Sequence, residues 1–305
     1  MEYAVSTCEL TRVFGSFTAI DKLSINIKRG EIYGFLGPNG SGKTTTIRML
    51  CGILQPTSGS GSVLGFDLLR EPEKIKQIIG YMSQKFSLYD DLTVYENLDF
   101  YAGIYGIPYR ERKKRISEMI EMALLTGREQ DMAINLGGGL KQRLALGCAI
   151  ISQPSILFLD EPTSGISPAG RRMFFKLIKK LSGEGTTVVV TTHFMDEAER
   201  CHKIAFLSEG RLIACDTPDN LKKSVVKGCM VELELPDVMD RVNDIEKLPY
   251  VKECSVHGLM LHVLLETAGH MEALNLHTKA RAKIIRPSLE DVFITLARQE
   301  KRQVS

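Results

Sequence analysis

With 305 residues, 44% hydrophobic and 25% charged, the chain has the composition of a globular protein with room for about two domains. A net charge of +2 gives no electrostatic footprint for nucleic acid, and no apolar run approaches the ~20 residues that cross a bilayer. Seven scattered cysteines without C-x-x-C spacing read as reduced thiols, the first residues do not read as a secretory signal, and the expected compartment is the cytoplasm.

Residues 3–30 hold two strand-like runs around Phe14-Gly15-Ser16-Phe17, then Ile25-Asn26-Ile27, which alternates as a half-buried strand does. The apolar run Ile32 to Leu36 reads as a buried strand. It leads into Gly37-Pro38-Asn39-Gly40-Ser41-Gly42-Lys43-Thr44, with a helix opening at Thr45. This is the G-x-x-x-x-G-K-[ST] phosphate loop between the strand and helix it requires. Glycines let consecutive N–H groups turn inward toward phosphate oxygens, and the helix N-terminus adds partial positive charge. Lys43 is expected to reach the β- and γ-phosphates, and the Thr44 hydroxyl to ligate Mg²⁺. The stretch implies a nucleoside triphosphate site. Residues 56–61 read as a turn cluster, with a strand near Ser62 to Leu64 and another over Ile78 to Met82 that ends at Ser83-Gln84.

From Lys85 the texture changes. Thr93-Val94-Tyr95-Glu96 is a capping box opening a helix to about Tyr105. Glu111 to Leu125 carries Ile116, Met119, Ile120 and Ala123 at helical spacing, with the basic cluster of residues 110–115 on a solvated face. Residues 85–150 are expected to form a helical insertion. Beyond it, the strand Ile156 to Asp160 ends in the carboxylates Asp160 and Glu161, and the strand Thr187 to Thr192 is followed at once by His193. Continuous apolar strands alternating with helices predict a parallel sheet covered on both faces, with ligands at its carboxyl edge. There Asp160 would hold Mg²⁺, usually through water. Glu161 would take a proton from attacking water, and His193 would hold that water or the γ-phosphate.

Past Pro218 the order strand, helix, strand, strand, helix, strand over residues 230–286 predicts a small ferredoxin-like unit, with Ser288 capping a last helix to about Gln299. The boundary is expected at residues 225/226. His257, His262, His270 and His277 match no usual metal-ligand spacing, so no metal set is expected among them.

Together these motifs resemble the nucleotide-binding subunit of an ATP-binding cassette transporter, over about residues 5–225. Tyr81-Met82-Ser83-Gln84 is similar to the family's Q-loop, Asp160-Glu161-Pro162-Thr163-Ser164-Gly165 to its Walker B and following loop, and Thr191 to Glu199 to its switch-histidine segment. The resemblance implies an α/β P-loop NTPase cassette with a mixed sheet core, a helical subdomain and a small C-terminal α+β ferredoxin-like domain. It implies ATP and Mg²⁺ as ligands, with Phe14 stacked on adenine (Phe17 is the alternative) and residues 37–44 and Thr45 on the triphosphate. Gln84 would touch Mg²⁺ beside Thr44 and Asp160; Lys43, Glu161 and His193 would serve hydrolysis.

The implied partners are a second cassette and a separate transmembrane permease, placing the chain on the inner face of the cell membrane. Phe86 and Tyr89 would lie on the coupling surface. Arg286 to Phe293 resembles the ending of exporter-type cassettes, and Gln84 to Tyr89 the multidrug-export branch. Two departures stand out. The family's Leu-Ser-Gly-Gly-Gln loop is Leu136-Gly137-Gly138-Gly139-Leu140 here, and Ser167 replaces a usual aspartate. Both lie on elements that serve a partner cassette's ATP. A heterodimer with one weakened site and a tolerant homodimer are equally compatible with them. A soluble cassette ATPase uncoupled from transport, or a nucleotide-gated regulator, is the alternative function.

Overall fold

A computed structural model describes residues 2–84 and 88–304, with side chains as far as Gln299. Phe86, expected on the coupling surface, lies outside the described residues. The chain forms two compact units, Met1–Cys215 and Asp216–Ser305.

The first unit begins with β1 (Tyr3–Phe14), β2 (Phe17–Leu23) and β3 (Asn26–Lys28). Then come β4 (Ile32–Leu36), α1 (Lys43–Leu50), β5 (Ser58–Val63), β6 (Phe66–Asp67), α2 (Pro72–Ile78) and β7 (Ile79–Met82). An antiparallel sheet runs β2-β1-β5-β6, with β3 also paired to β1. The expected turn over residues 56–61 is corrected here. From Ser58 onward the segment is strand β5, with Thr7 opposite Gly61 and Cys8 opposite Ser60. Its serines and glycines mark a bulge: Gly59 has φ +84°, and a Cβ there would sit 2.3 Å from the Glu9 carbonyl oxygen.

The helical insertion holds α3 (Val94–Ile104), α4 (Tyr109–Met122) and α5 (Gly138–Ile150). Thr93 and Glu96 form the reciprocal capping box, Thr93 Oγ1 accepting from Glu96 N–H at 3.1 Å and Glu96 Oε2 from Thr93 N–H at 2.8 Å. Helix α4 buries Ile116, Met119 and Ile120; of its basic cluster Arg110, Lys113 and Lys114 are exposed, while Arg112 and Arg115 are half-buried rather than fully solvated.

Next come β8 (Ile156–Asp160), α6 (Pro168–Gly183), β9 (Thr187–Thr192), α7 (Met195–Ala198), β10 (Lys203–Ser208) and β11 (Arg211–Asp216). A second sheet runs β11-β10-β4-β9-β8-β7, and its β10-β4-β9-β8-β7 pairs are all parallel. Every residue of β4, β8 and β9 is buried, as a sheet covered on both faces demands. Tyr33, Phe35, Ile47, Phe158 and Val189 belong to one core cluster that seats the sheet against the β1 layer and α1. The chain thus leaves the adjacent strands β4, β9 and β8 at one edge.

The second unit holds α8 (Pro218–Val225), β12 (Cys229–Glu234), α9 (Val238–Glu246), β13 (Val251–His257), β14 (Met260–Leu265), α10 (Met271–Thr278), β15 (Lys283–Ile284) and α11 (Leu289–Val304). Its antiparallel sheet runs β13-β14-β12-β15, the ferredoxin-like order. Val231, Leu233, Leu261, Val263, Ile245 and Leu274 form its core. The units divide at 215/216 rather than at 225/226, because α8 packs on α11 and so joins the second unit.

The capping box carries a checkable consequence. Thr93→Ala removes one cap and leaves an N–H of the first turn of α3 without its acceptor, costing about 1 kcal/mol in urea unfolding. Faster amide exchange is expected at Glu96 first.

Candidate active site

The phosphate loop spans the end of β4 and the start of α1. Gly40 and Gly42 have φ of +83° and +99°, a left-handed backbone that glycine adopts at little cost. Gly42 also has no room for a side chain, since a Cβ would stand 2.4 Å from Ile20 Cδ1 and 2.7 Å from the Ala19 carbonyl oxygen. The Lys43 ammonium, 4% exposed, donates to the carbonyls of Gly37 at 2.8 Å and Pro38 at 3.0 Å. Burial pulls its pKa down, while Glu161 and Asp160 push it back up. The buried Ser41 hydroxyl has no hydrogen-bond partner. An orphaned hydroxyl and a lysine folded onto its own loop fit a cradle built for anionic phosphate oxygens.

The end of β8 delivers both carboxylates. Asp160 Oδ1 accepts from the Thr44 hydroxyl at 3.0 Å and from the Thr191 hydroxyl at 2.8 Å. The same Thr191 oxygen accepts the Glu161 N–H at 2.8 Å. Glu161 takes φ +46°, a region that L side chains rarely occupy, which turns its carboxylate out of the strand's alternation. Three side chains from distant elements converge on it. Lys43 Nζ lies 3.5 Å from Oε1; Gln84 Nε2 donates to Oε2 at 3.3 Å; His193 Nδ1 lies 3.5 Å from Oε2. Burial raises the Asp160 carboxyl above its ordinary range, against the pull of the Thr191 and Thr44 hydroxyls. Hydroxyl, carboxylate and amide groups placed together are the oxygen donors that Mg²⁺ favours.

The structure thus gathers Lys43, Thr44, Gln84, Asp160, Glu161 and His193, as the sequence analysis expects. Phe14 and Phe17 face each other across the β1–β2 turn, both exposed, with the Arg12 guanidinium 4.4 Å over the Phe14 ring. Gly137, Gly138 and Gly139, at the start of α5, line an open cleft of about 310 Å³ with Leu140 and Arg143 and with Gly170 and Met173 of α6; none of the clustered side chains lines it. A Cβ at Gly137 would meet nothing within 4 Å. Ser167 is the N-cap of α6, its hydroxyl accepting from Gly170 N–H at 3.2 Å.

Two contributors escape a sequence reading. One is Thr191, which bonds the Asp160 carboxylate and the Glu161 backbone; only its place shortly before His193 hints at it. The other is Glu197, an acid 1% exposed on the short helix α7. Its carboxylate accepts from Thr163, on the loop after Glu161, and from Thr192, beside His193, at 2.5 Å for the latter. Thr192 in turn accepts the Phe194 N–H at 3.0 Å, and Phe194 lies under the Arg171 guanidinium at 3.9 Å. Glu197 therefore ties the loop carrying Glu161 to the loop carrying His193.

Burial raises the Glu197 carboxyl above its ordinary range, opposed by the two threonine hydroxyls. Its folded value exceeds its unfolded one, so the native state holds this proton longer. The group's contribution to stability is then fullest below about pH 4 and declines as pH rises through the raised value. In urea unfolding at a series of pH values, the stability of wild type relative to Glu197→Gln should fall across that window. A gap independent of pH would show that burial does not govern this acid.

Residues 20–164 match the ABC transporter family. The "Probable multidrug ABC transporter ATP-binding protein YbhF" of Escherichia coli (strain K12) is 51% identical over 221 residues, 72% of this chain. The chain spans only 38% of that relative's length. The "Linearmycin resistance ATP-binding protein LnrL" of Bacillus subtilis (strain 168) is 34% identical over 298 residues, 94% of this chain and 96% of that protein. Among solved structures, the "Dimeric structure of a post-hydrolysis state of the ATP-binding cassette MJ0796 bound to ADP and Pi" superposes with a TM-score of 0.64 at 29% identity. That alignment covers 70% of this chain and 98% of the other.

Proposed function

Because the chain belongs to the ATP-binding proteins of the ABC transporter family, we propose that it binds and hydrolyses ATP to power an exporter. Export runs through a separate transmembrane permease, and the cargo is drug-like, antibiotic or lipid-like; relatives named for multidrug transport and linearmycin resistance support the first two. The observation that carries this reading is the convergence of Lys43, Gln84 and His193 on the single carboxylate of Glu161.

In this mechanism the loop from Gly37 to Thr45 wraps the triphosphate with backbone N–H groups. Lys43 exchanges its bonds to the Gly37 and Pro38 carbonyls for phosphate oxygens. Thr44, Gln84 and Asp160 would hold Mg²⁺, which would supply positive charge against the phosphates. Once Lys43 turns to phosphate, the Glu161 carboxylate is free to accept the proton of the attacking water. His193 orients that water or the γ-phosphate, and Phe14 stacks on the adenine. Gln84 leaves β7 toward the helical insertion, so its contact with Glu161 links the nucleotide to the surface that meets the permease. No helix among the described residues is long and apolar enough to cross a membrane; in this mechanism the chain sits on the inner membrane face through its permease.

The Gly137–Gly139 loop would serve the ATP of a second cassette, its place at the N-terminus of the 13-residue helix α5 giving it the backbone N–H groups and partial positive charge that suit a phosphate. Neither departure from the family distorts its element: Gly137 stands at the N-cap of one regular helix and Ser167 at that of another. The second cassette is a copy of this chain or a different one. Cooperative turnover of the purified chain alone selects the homodimer, whereas turnover only after adding another cassette selects the heterodimer.

Two substitutions test the assignment. Glu161→Gln is expected to cut Mg²⁺-ATP turnover by about two orders of magnitude or more while leaving nucleotide binding in place. Tagged protein recovered from its membranes should bring a polytopic membrane protein with it. Unchanged turnover would move the general base elsewhere, and ribosomes in place of a membrane partner would support an uncoupled ATPase. Gly137→Ser restores a hydroxyl at an open position. Gaining one neutral hydrogen bond of about 1 kcal/mol, it should raise turnover by less than about tenfold.

A further inference from the structure

The second unit carries a cluster that the proposed ATPase does not use. On its sheet, Ser255 of β13 pairs across from His262 of β14, and Glu232 of β12 pairs with His262 from the other side. His257, two residues after Ser255, therefore shares that face. The opposite face holds the apolar core of Val231, Leu261 and Val263. The polar row is met by the first turn of α11, where Ser288 and Asp291 bond reciprocally: Asp291 Oδ2 accepts the Ser288 N–H at 2.7 Å, and Ser288 Oγ accepts the Asp291 N–H at 3.2 Å. That cap uses one carboxylate oxygen. The other, Oδ1, faces two imidazoles, lying 2.9 Å from His262 Nδ1 and 3.3 Å from His257 Nε2.

We propose that His257 Nε2, His262 Nδ1 and Asp291 Oδ1 form a binding site for a divalent transition metal of the zinc class. The three residues each bring a ligand atom within 4.8 Å of the other two. A tetrahedral ion with bonds of 2.0–2.1 Å sets its ligand atoms about 3.3 Å apart, so the His257–Asp291 separation already suits it and the 2.9 Å between His262 and Asp291 has to open by a few tenths of an ångström. Two imidazoles and a carboxylate, without thiolate, favour Zn²⁺, Co²⁺ or Ni²⁺ over Mg²⁺ or Ca²⁺. The arrangement beyond the three ligands supports the assignment. His257 turns its remaining nitrogen, Nδ1, toward Glu290 Oε2 at 3.3 Å, and His262 turns Nε2 toward Glu232 Oε2 at 3.6 Å. Metal-bound histidines characteristically pair their second nitrogen with a carboxylate, which fixes the ring and raises its basicity. The Ser255 hydroxyl, 3.1 Å from His257 Nε2 and 3.4 Å from Asp291 Oδ1, is placed to hold a water in the fourth position.

The rings are now stacked, with centroids 3.9 Å apart and planes at 21°. Their lone pairs converge only after rotation about the bonds to the rings, so the ion would trade the stack for coordination. Bound there, it would fasten the β13–β14 hairpin to the start of α11.

The test uses the full chain, freed of metal by chelation and without nucleotide. It is titrated with Co²⁺, read by visible absorption, and with Zn²⁺ against a chromophoric indicator. One equivalent should bind and give a tetrahedral Co²⁺ spectrum. His257→Gln and His262→Gln should each weaken binding by about tenfold or more, and the double variant should abolish it. His193→Ala removes a ligand near the ATP cluster and should leave this equivalent intact. Imidazole NMR of the wild type gives a readout that needs no variant: Zn²⁺ should shift the resonances of two histidines, and His257→Gln should identify one of them. Absence of a bound equivalent, or full binding in the double variant, overturns the site. Neither result bears on ATP hydrolysis, so this inference and the proposed function stand or fall separately.

Discussion

Two adjacent carboxylates buried at the end of one apolar strand set the terms for the first unit. Asp160 and Glu161 are 1% and 9% exposed, and an unpaired charge at that depth would cost several kcal/mol. A hydroxyl from Thr191 stands between them, donating to one side chain and accepting from the backbone of the other. Lys43, itself buried, supplies the opposing charge. Its ammonium is bonded to the Gly37 and Pro38 carbonyls of its own loop, and phosphate must displace those bonds. The arrangement exists only because β8 lies between β7 and β9 in a parallel sheet, so that the ends of β4, β7, β8 and β9 all reach one edge.

The same edge explains how residues far apart in sequence act together. Glu161 hears from the phosphate loop through Lys43, from the insertion through Gln84, and from the end of β9 through His193. Glu197 then joins the loop after Glu161 to the loop around His193 by two hydroxyl bonds. A shift of Gln84 or Thr163 therefore changes the surroundings of the Glu161 carboxylate directly, which is the physical form that coupling between nucleotide and a docked partner would take.

Much of this was legible in the sequence because local chemistry dictated it. The boundaries of β4, β8 and β9 follow from continuous apolar runs, α3 from its capping box, and the phosphate loop from glycines that the turn requires. The ferredoxin-like order followed from alternating strands and helices. What sequence could not supply were partnerships set by pairing across the fold. Ser58 to Gly61 looked like a turn because its residues lack strand propensity, yet pairing with β1 made it a strand with a bulge. Residues 216–225 looked like the end of the cassette, but packing on α11 placed them in the second unit. The two histidines on β13 and β14 showed no ligand spacing; cross-strand register and the α11 cap bring them to one carboxylate.

The central claim is that the buried cluster is poised for a triphosphate and reorganises around it. Amide hydrogen exchange with and without Mg²⁺-ATP in the Glu161→Gln background tests this most directly. Protection is expected over residues 37–46, near Gln84, and over 160–163 and 192–197, where Glu197 links the two loops. Protection confined to the phosphate loop would contradict the coupling of these elements, and an unchanged exchange pattern would contradict the site itself.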